Sequence, residues 1–340
     1  MGLAGSEVVA TEWRDEVIHG SECARVRVEQ LKLPAQGAFP PLAVERTCLE
    51  GHEDGPPVIL VHGFAQNRYS WRVSRRSFSA FLAARGFVVL NLELRGHGRS
   101  RAYGAPSPRS FTEYVDDLVR VVSACDTLPF VIGHSLGGGV GVGAATMVPI
   151  AGLVQLAGVY TFAEENAWLR TVGRAFLGVE RPLRAIPVRM STRWFGSLVA
   201  RVVYGADLSM YFQPCAGWVP GSVERDLIQE RVRLGFDWIS VEIWLEMAKW
   251  AQGQSFLYRD AFRQTDVPLL VLVGDKDRLL SPTDARICYD ESCSTDKQFV
   301  LFSRDTHEVH WGHLDIILGK RAREIVWPVI ADWMRERGQT

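Results

Sequence analysis

Ten residues, Phe130-Val-Ile-Gly-His-Ser-Leu-Gly-Gly-Gly139, constrain this chain more than any other stretch. A short β-forming apolar run passes straight into glycine, then serine, then further glycines that open a helical stretch. Gly133-His134-Ser135-Leu136-Gly137 therefore reads as a very sharp strand-to-helix turn. The residues two before and two after the serine approach so closely that side chains would collide, which requires glycine at both. Such a turn lifts the serine Oγ clear of the backbone. The helix expected to start at Ser135 also points its positive end at any negative charge developing there. Gly/Ser patterns arise by chance in glycine-rich chains, but here a strand precedes and a helix follows. Ser135 is the candidate nucleophile.

The rest of the chain supplies the context such a turn needs. Continuous apolar runs occur at Val58–Val61, Phe87–Leu92, Phe130–Ile132, Leu153–Leu156, Leu269–Val273 and Phe299–Phe302. Short β-rich runs without alternation are expected of strands covered on both faces. Helical patterns lie between them, over Tyr69–Ala84 and Phe111–Ala124, the second opened by Ser110 and Glu113 as a capping box. That rhythm implies right-handed crossovers and a mostly parallel sheet of about eight strands flanked by helices. Before residue 50 the pattern alternates, through Ala24, Val26 and Val28 and then Leu42, Val44 and Thr47, which predicts an antiparallel hairpin at the sheet's start.

The rhythm stops between about Val159 and Asp266. This segment carries several Trp and Phe, prolines at 182, 187, 214 and 220, and helical stretches at Val223–Leu234 and Trp238–Trp250. Because core strands resume afterwards, residues 159–266 are predicted to form an inserted, mainly helical cap. Residues 1–158 and 267–340 then form one core. The alternative is a second independent domain.

These motifs resemble the α/β-hydrolase superfamily, over about Ala43 to Met334, with serine esterases and lipases as the similar members. The resemblance implies a nucleophile after the fifth strand, an acid after the seventh and a histidine after the eighth. Val61-His62-Gly63-Phe64 is similar to the family's H-G-φ tripeptide, which implies an oxyanion hole built from the amides of Phe64 and Leu136. Two such donors contribute on the order of 3 kcal/mol each to the barrier. Arg95-Gly-His-Gly-Arg-Ser100 resembles the family's R-G-x-G-x-S turn and is read as structural, not as a source of a base in His97.

The acid implied by the resemblance lies three residues past the strand-ending Gly274, at Asp277, where it would accept the Nδ1–H of the base. Asp275 is the competitor, expected instead to satisfy loop amides. Three histidines, His307, His310 and His313, follow the last strand, in the chain order Ser, Asp, His. His313 follows Gly312 and precedes an amphipathic run, Ile316–Trp333, and Gly-His-Leu-Asp resembles the surroundings of the base in acid-lipase-like members. The expected function is cleavage of carboxylic esters with an apolar moiety through an acyl-enzyme on Ser135. Thioester, amide or carbon–carbon cleavage, acyl transfer, and a non-catalytic small-ligand receptor are the alternatives.

Composition narrows the partners. A formal charge of −1 leaves no electrostatic excess to meet phosphates, so no nucleic-acid partner is expected. No run of about 18 apolar residues is present to span a membrane, and the N-terminus lacks a secretory pattern. Met1-Gly2 with Ser6 fits a myristoylation pattern, read here as a chance match. The six cysteines form no CxxC pair and no Cys/His ligand spacing and are expected to be reduced, mostly buried fillers. A cytoplasmic enzyme without metal or organic cofactor, acting on a small apolar ester, is the expectation.

Overall fold

The chain is described here from a computed structural model, which describes residues 2–181, 190–191 and 217–338. Three antiparallel strands open it: β1 (Glu7–His19), β2 (Glu22–Leu33) and β3 (Leu42–Leu49). The sequence-based hairpin thus has a third member, because the polar alternation of residues 7–15 hides an outer strand with little to bury. After β4 (Pro57–Val61) come the two-residue strands β5 (Arg72–Val73) and β6 (Arg76–Ser77). β7 (Val88–Glu93), β8 (Phe130–His134), β9 (Gly152–Leu156), β12 (Leu269–Gly274) and β13 (Lys297–Phe302) complete the sheet. β10 (Met190–Ser191) and β11 (Trp238–Ile239) form a separate ribbon.

The sheet has eleven strands among the described residues, in the order β13-β12-β9-β8-β4-β7-β3-β2-β1-β6-β5. Pairing is parallel from β7 through β4, β8, β9 and β12 to β13, and antiparallel from β7 outward through β3. The count exceeds the expected eight because the N-terminal strands and two short edge strands join the same ladder. The fold is the α/β-hydrolase type, an open mixed sheet with helices on both faces.

Alternate residues of each central strand feed opposite cores. Ile59, Val61, Val131, Leu153 and Val271 face the helix Phe111–Ser123 and the helix Leu136–Ala145. Val58, Leu60, Ile132, Val154 and Leu270 face Phe78, Phe81, Trp327 and Trp333 on the other side. Both faces are dry, which is why these strands read as unbroken apolar runs.

Two helical expectations need correction. The segment Tyr69–Ala84 is not one helix: a 3-10 turn at Arg68–Ser70 and the strands β5 and β6 precede a helix at Phe78–Ala83. Ser77 caps that helix by accepting from the Ala80 amide at 3.0 Å, so capping chemistry overrides the longer apolar period. At Ser110 the capping box does not form; Glu113 accepts instead from the Arg109 amide at 2.6 Å and pairs with Arg95 at 3.4 Å.

Between β9 and β12 the described residues are mainly helical: Ala167–Gly178, Arg225–Gly235, Val241–Trp250 and Arg259–Phe262. Pro182, Pro187, Pro214 and Cys215 lie outside the described residues. Of the other cysteines, Cys48 and Cys288 are buried fillers, whereas Cys23 and Cys293 are exposed at strand and helix ends, which corrects that expectation. No helix among the described residues is long and apolar enough to cross a membrane.

Candidate active site

Every sequence-predicted site residue follows the carboxyl end of a parallel strand, the edge at which open α/β sheets bind ligands. β4 leads to Phe64, β8 to Ser135, β12 to Asp277 and β13 to His313.

Ser135 sits between β8 and the helix Leu136–Ala145 at φ 56°, ψ −124°. A non-glycine residue in this region is strained, and the strain is held by hydrogen bonds on both sides. Its amide donates to Leu156 O at 3.3 Å, and its carbonyl accepts from the Gly138 and Val159 amides at 2.9 and 2.8 Å. A methyl group at Gly133 would overlap the Gly137 carbonyl, and one at Gly137 would overlap the Val61 carbonyl. The turn tolerates no Cβ at either place. The helix begins at Leu136, one residue later than expected, with Ser135 as its cap.

The Phe64 turn presses directly on this serine. A Cβ built at Gly63 would lie 3.0 Å from Ser135 Cβ and 3.3 Å from the His134 carbonyl oxygen, so any larger residue there would crowd the Ser135 turn. The amides of Phe64 and Leu136 donate to no acceptor among the described residues. His62 braces the turn from below. Its Nε2 accepts from the Leu94 amide at 3.2 Å, which leaves Nδ1–H to donate to Gly63 O at 2.9 Å. Complete burial holds its pKa well below the ordinary histidine value, so the ring is neutral.

His313 Nδ1 lies 2.7 Å from Asp277 Oδ2, with both side chains buried. The other oxygen of Asp277 accepts from the Leu279 and Leu280 amides, both at 2.9 Å. Those donors fix the carboxylate and stabilise its charge. Asp275 and His310 make a parallel pair nearer the surface: His310 Nδ1 lies 2.5 Å from Asp275 Oδ2, while Oδ1 accepts from the Trp311 amide at 2.9 Å. Asp275 thus satisfies a loop amide, as expected, and also holds His310. His307 packs against the Phe302 ring and bonds to Thr306.

Three further residues shape the site, and the sequence reading assigned them nothing. His134, one peptide before Ser135, donates from Nε2 to His313 O at 3.0 Å, and the two rings lie 4.6 Å apart. This contact holds the His313 loop against the Ser135 turn. Burial and the neighbouring His313 push the pKa of His134 well below the ordinary value. Asp315, fully buried, accepts from the Gly312 amide at 2.5 Å and the Val219 amide at 2.9 Å, joining the histidine loop to the β9–β12 segment. Burial raises its pKa to about 6. Asp237, described below, is the third. A histidine before Ser135 and an acid two residues after His313 are visible in the sequence, but only tertiary contacts give them partners.

The Arg95–Ser100 turn is structural. Arg95 Nε and Nη2 both donate to Oδ1 of buried Asp117, at 2.9 and 2.8 Å, its amide donates to Oδ2 at 2.8 Å, and Ser100 Oγ accepts from the Ala43 amide at 2.8 Å. His97 Nε2 lies 2.7 Å from the Tyr114 hydroxyl in full burial, which lowers its pKa to about 4.

Known proteins share this framework. The sequence pattern of the alpha/beta hydrolase family matches residues 58–316. A monoacylglycerol lipase of Mycolicibacterium smegmatis is 30% identical over 262 residues, covering 74% of this chain and 81% of that protein. An uncharacterized abhydrolase domain-containing protein of Dictyostelium discoideum is 25% identical over 82% of this chain. Epoxide hydrolase B of Mycobacterium tuberculosis is 36% identical over 86 residues. The match spans 26% of the Dictyostelium protein and 23% of the epoxide hydrolase, about a quarter of each. Among solved structures, a monoacylglycerol lipase of Paleococcus ferrophilus superposes with a TM-score of 0.60 at 19% identity, covering 87% of this chain and 99% of that one. That likeness speaks for the fold alone. With the family pattern covering most of the chain and the strand order to match, this chain belongs to the alpha/beta hydrolase family.

Proposed function

We propose that the chain is a serine hydrolase that cleaves carboxylic esters with an apolar moiety. Ser135 is the nucleophile, His313 the base, Asp277 its orienting acid, and the amides of Phe64 and Leu136 form the oxyanion hole. The observation that carries this reading is the buried 2.7 Å contact between His313 and Asp277. The neighbouring His134 holds that pair against the strained Ser135 turn.

In this mechanism Asp277 accepts Nδ1–H, which fixes the tautomer with Nε2 free to take the Ser135 proton. Oγ attacks the carbonyl carbon, and negative charge moves to its oxygen, facing the two unpaired amides. His313 then protonates the leaving alcohol. Water attacks the acyl-enzyme by the same route and releases the acid.

In this reading the described part of residues 159–266 acts as a cap over the sheet edge. The Trp244 ring meets the Phe64 ring edge-on at 5.4 Å and stacks on Phe176 at 4.9 Å, which favours an apolar substrate group beside the oxyanion turn. Other cap aromatics, such as Trp250 and Phe256, pack on Phe111 and serve the core. The monoacylglycerol lipase similarity points to the same substrate class.

The test is covalent labelling by a fluorophosphonate, followed by turnover of p-nitrophenyl esters of graded chain length. Labelling at Ser135 with ester turnover supports the proposal. A chain that resists the probe and hydrolyses no ester refutes it.

A further inference from the structure

The turn that carries Phe64 is gripped from outside by the segment Arg231–Asp237, at and just beyond the end of the helix Arg225–Gly235. The Asp237 amide donates to Ala65 O at 2.7 Å. Asn67 Nδ2 donates to Leu234 O at 2.9 Å and to Asp237 Oδ2 at 3.3 Å. Arg231 Nη2 donates to Gln66 Oε1 at 2.8 Å and to Ser70 Oγ at 3.1 Å. Asp237 reaches further. Its Oδ2 accepts from the Gly98 amide at 2.7 Å and its Oδ1 from the Trp238 amide at 2.8 Å. Gln66, Asn67, Ser70, Arg231 and Asp237 are all buried.

One carboxylate therefore ties together three separate stretches: the loop after β4, the Gly96–Gly98 turn and the approach to the helix Val241–Trp250. The loop needs holding. Ala65, immediately after Phe64, sits at φ 56°, a left-handed conformation that a residue with a Cβ keeps only where its surroundings impose it. If Ala65 relaxed, the carbonyl that now meets the Asp237 amide would swing away. The Phe64–Ala65 peptide would turn with it, and through the Phe64 Cα it would displace the Gly63–Phe64 peptide, which carries the Phe64 amide. An oxyanion donor is effective only when its aim is fixed before the charge develops. Beside the brace that His62 supplies from the core, the polar contacts to Ala65, Gln66 and Asn67 come from a segment inserted between β9 and β12.

We propose that Asp237 is a positioning residue for the oxyanion hole, holding Ala65–Asn67 so that the Phe64 amide faces the reacting carbonyl. This inference rests on the reading of Ser135 and Phe64 given above.

The experiment compares Asp237→Ala and Asp237→Asn with the wild type in the full chain. Live serines are titrated to completion with a fluorophosphonate, so that kcat is expressed per active site. Steady-state constants for p-nitrophenyl butyrate are measured beside the affinity for a trifluoromethyl ketone, whose hemiketal oxygen occupies the oxyanion position. In Asp237→Ala, kcat is expected to fall about a hundredfold with KM within about twofold, and ketone affinity to fall by a similar factor. Asp237→Asn keeps an acceptor oxygen for the Gly98 amide and is expected to recover about tenfold of that loss. Should the alanine variant not fold, Asn67→Ala, which breaks the links to Leu234 and Asp237, is read in the same way. Unchanged kcat per titrated serine, or a kcat loss with undiminished ketone affinity, overturns the proposal. An active wild type with unaffected variants sinks only this inference. A wild type that neither turns over ester nor takes the probe sinks the reading of the site, and this inference with it.

Discussion

His134 and His313 meet twice: ring against ring at 4.6 Å, and through a 3.0 Å hydrogen bond from His134 Nε2 to the His313 carbonyl. The residue before the proposed nucleophile thus locates the loop of the proposed base. Strand β8 and the loop after β13 are fixed to each other without any bond that chemistry would have to break.

Ser135→Ala removes the only group proposed to bond covalently to substrate and leaves the turn's backbone contacts intact. Ester turnover is expected to fall at least about a thousandfold and fluorophosphonate labelling to vanish. The melting temperature should stay within a few degrees of the wild type. Activity surviving in the alanine variant would show that another residue is the nucleophile.

The two aspartates after β12 should separate cleanly. Asp277→Asn disturbs the partner of His313 Nδ1 and is expected to lower kcat by about ten-thousandfold. Asp275→Asn retains an acceptor for the Trp311 amide and acts on a pair outside the proposed relay, so kcat should fall by less than about tenfold. Kinetics of both variants decide the assignment. Equal losses would reverse it.

Asp315 gives a pH signature. Burial disfavours the charge of its carboxyl and raises its pKa to about 6 in the folded chain, from the ordinary 3.8. Between those values the folded state binds a proton that the unfolded state has released. The contribution of Asp315 to stability therefore grows as pH falls from 7 through 6, and it is lost again as pH rises. Denaturant unfolding of the wild type and Asp315→Asn at pH 5 and pH 7.5 tests this. The stability difference, wild type minus variant, should be more favourable to the wild type at pH 5.

Gly137→Ala would set a methyl group against the Val61 carbonyl at the end of β4. Backbone cannot yield there without shifting the strand that leads to Phe64. Destabilisation of about 3 kcal/mol or more, with loss of turnover, is expected from thermal unfolding and assay of the same sample. A stable, active Gly137→Ala chain would mean that the turn is looser than described.

The sequence by itself determined the covered strands, because side chains buried on both faces leave an unbroken apolar run such as Pro57–Val61. It also determined the sharp turn at Ser135, because Gly133 is dictated by the close approach of the Gly137 carbonyl four residues on, although Gly137 itself also answers to the Val61 carbonyl of β4. Local chemistry of that kind is written locally. The strands at the sheet's polar edge, the broken segment 68–83 and the unformed cap at Ser110 were decided by tertiary packing, which offers Glu113 the Arg95 guanidinium and Ser77 the Glu16 carboxylate, partners that no local pattern reveals. The same holds for His134, Asp315 and Asp237. Each is an ordinary polar residue in the sequence, and each acquires its role from an acceptor or donor 96 or more positions away.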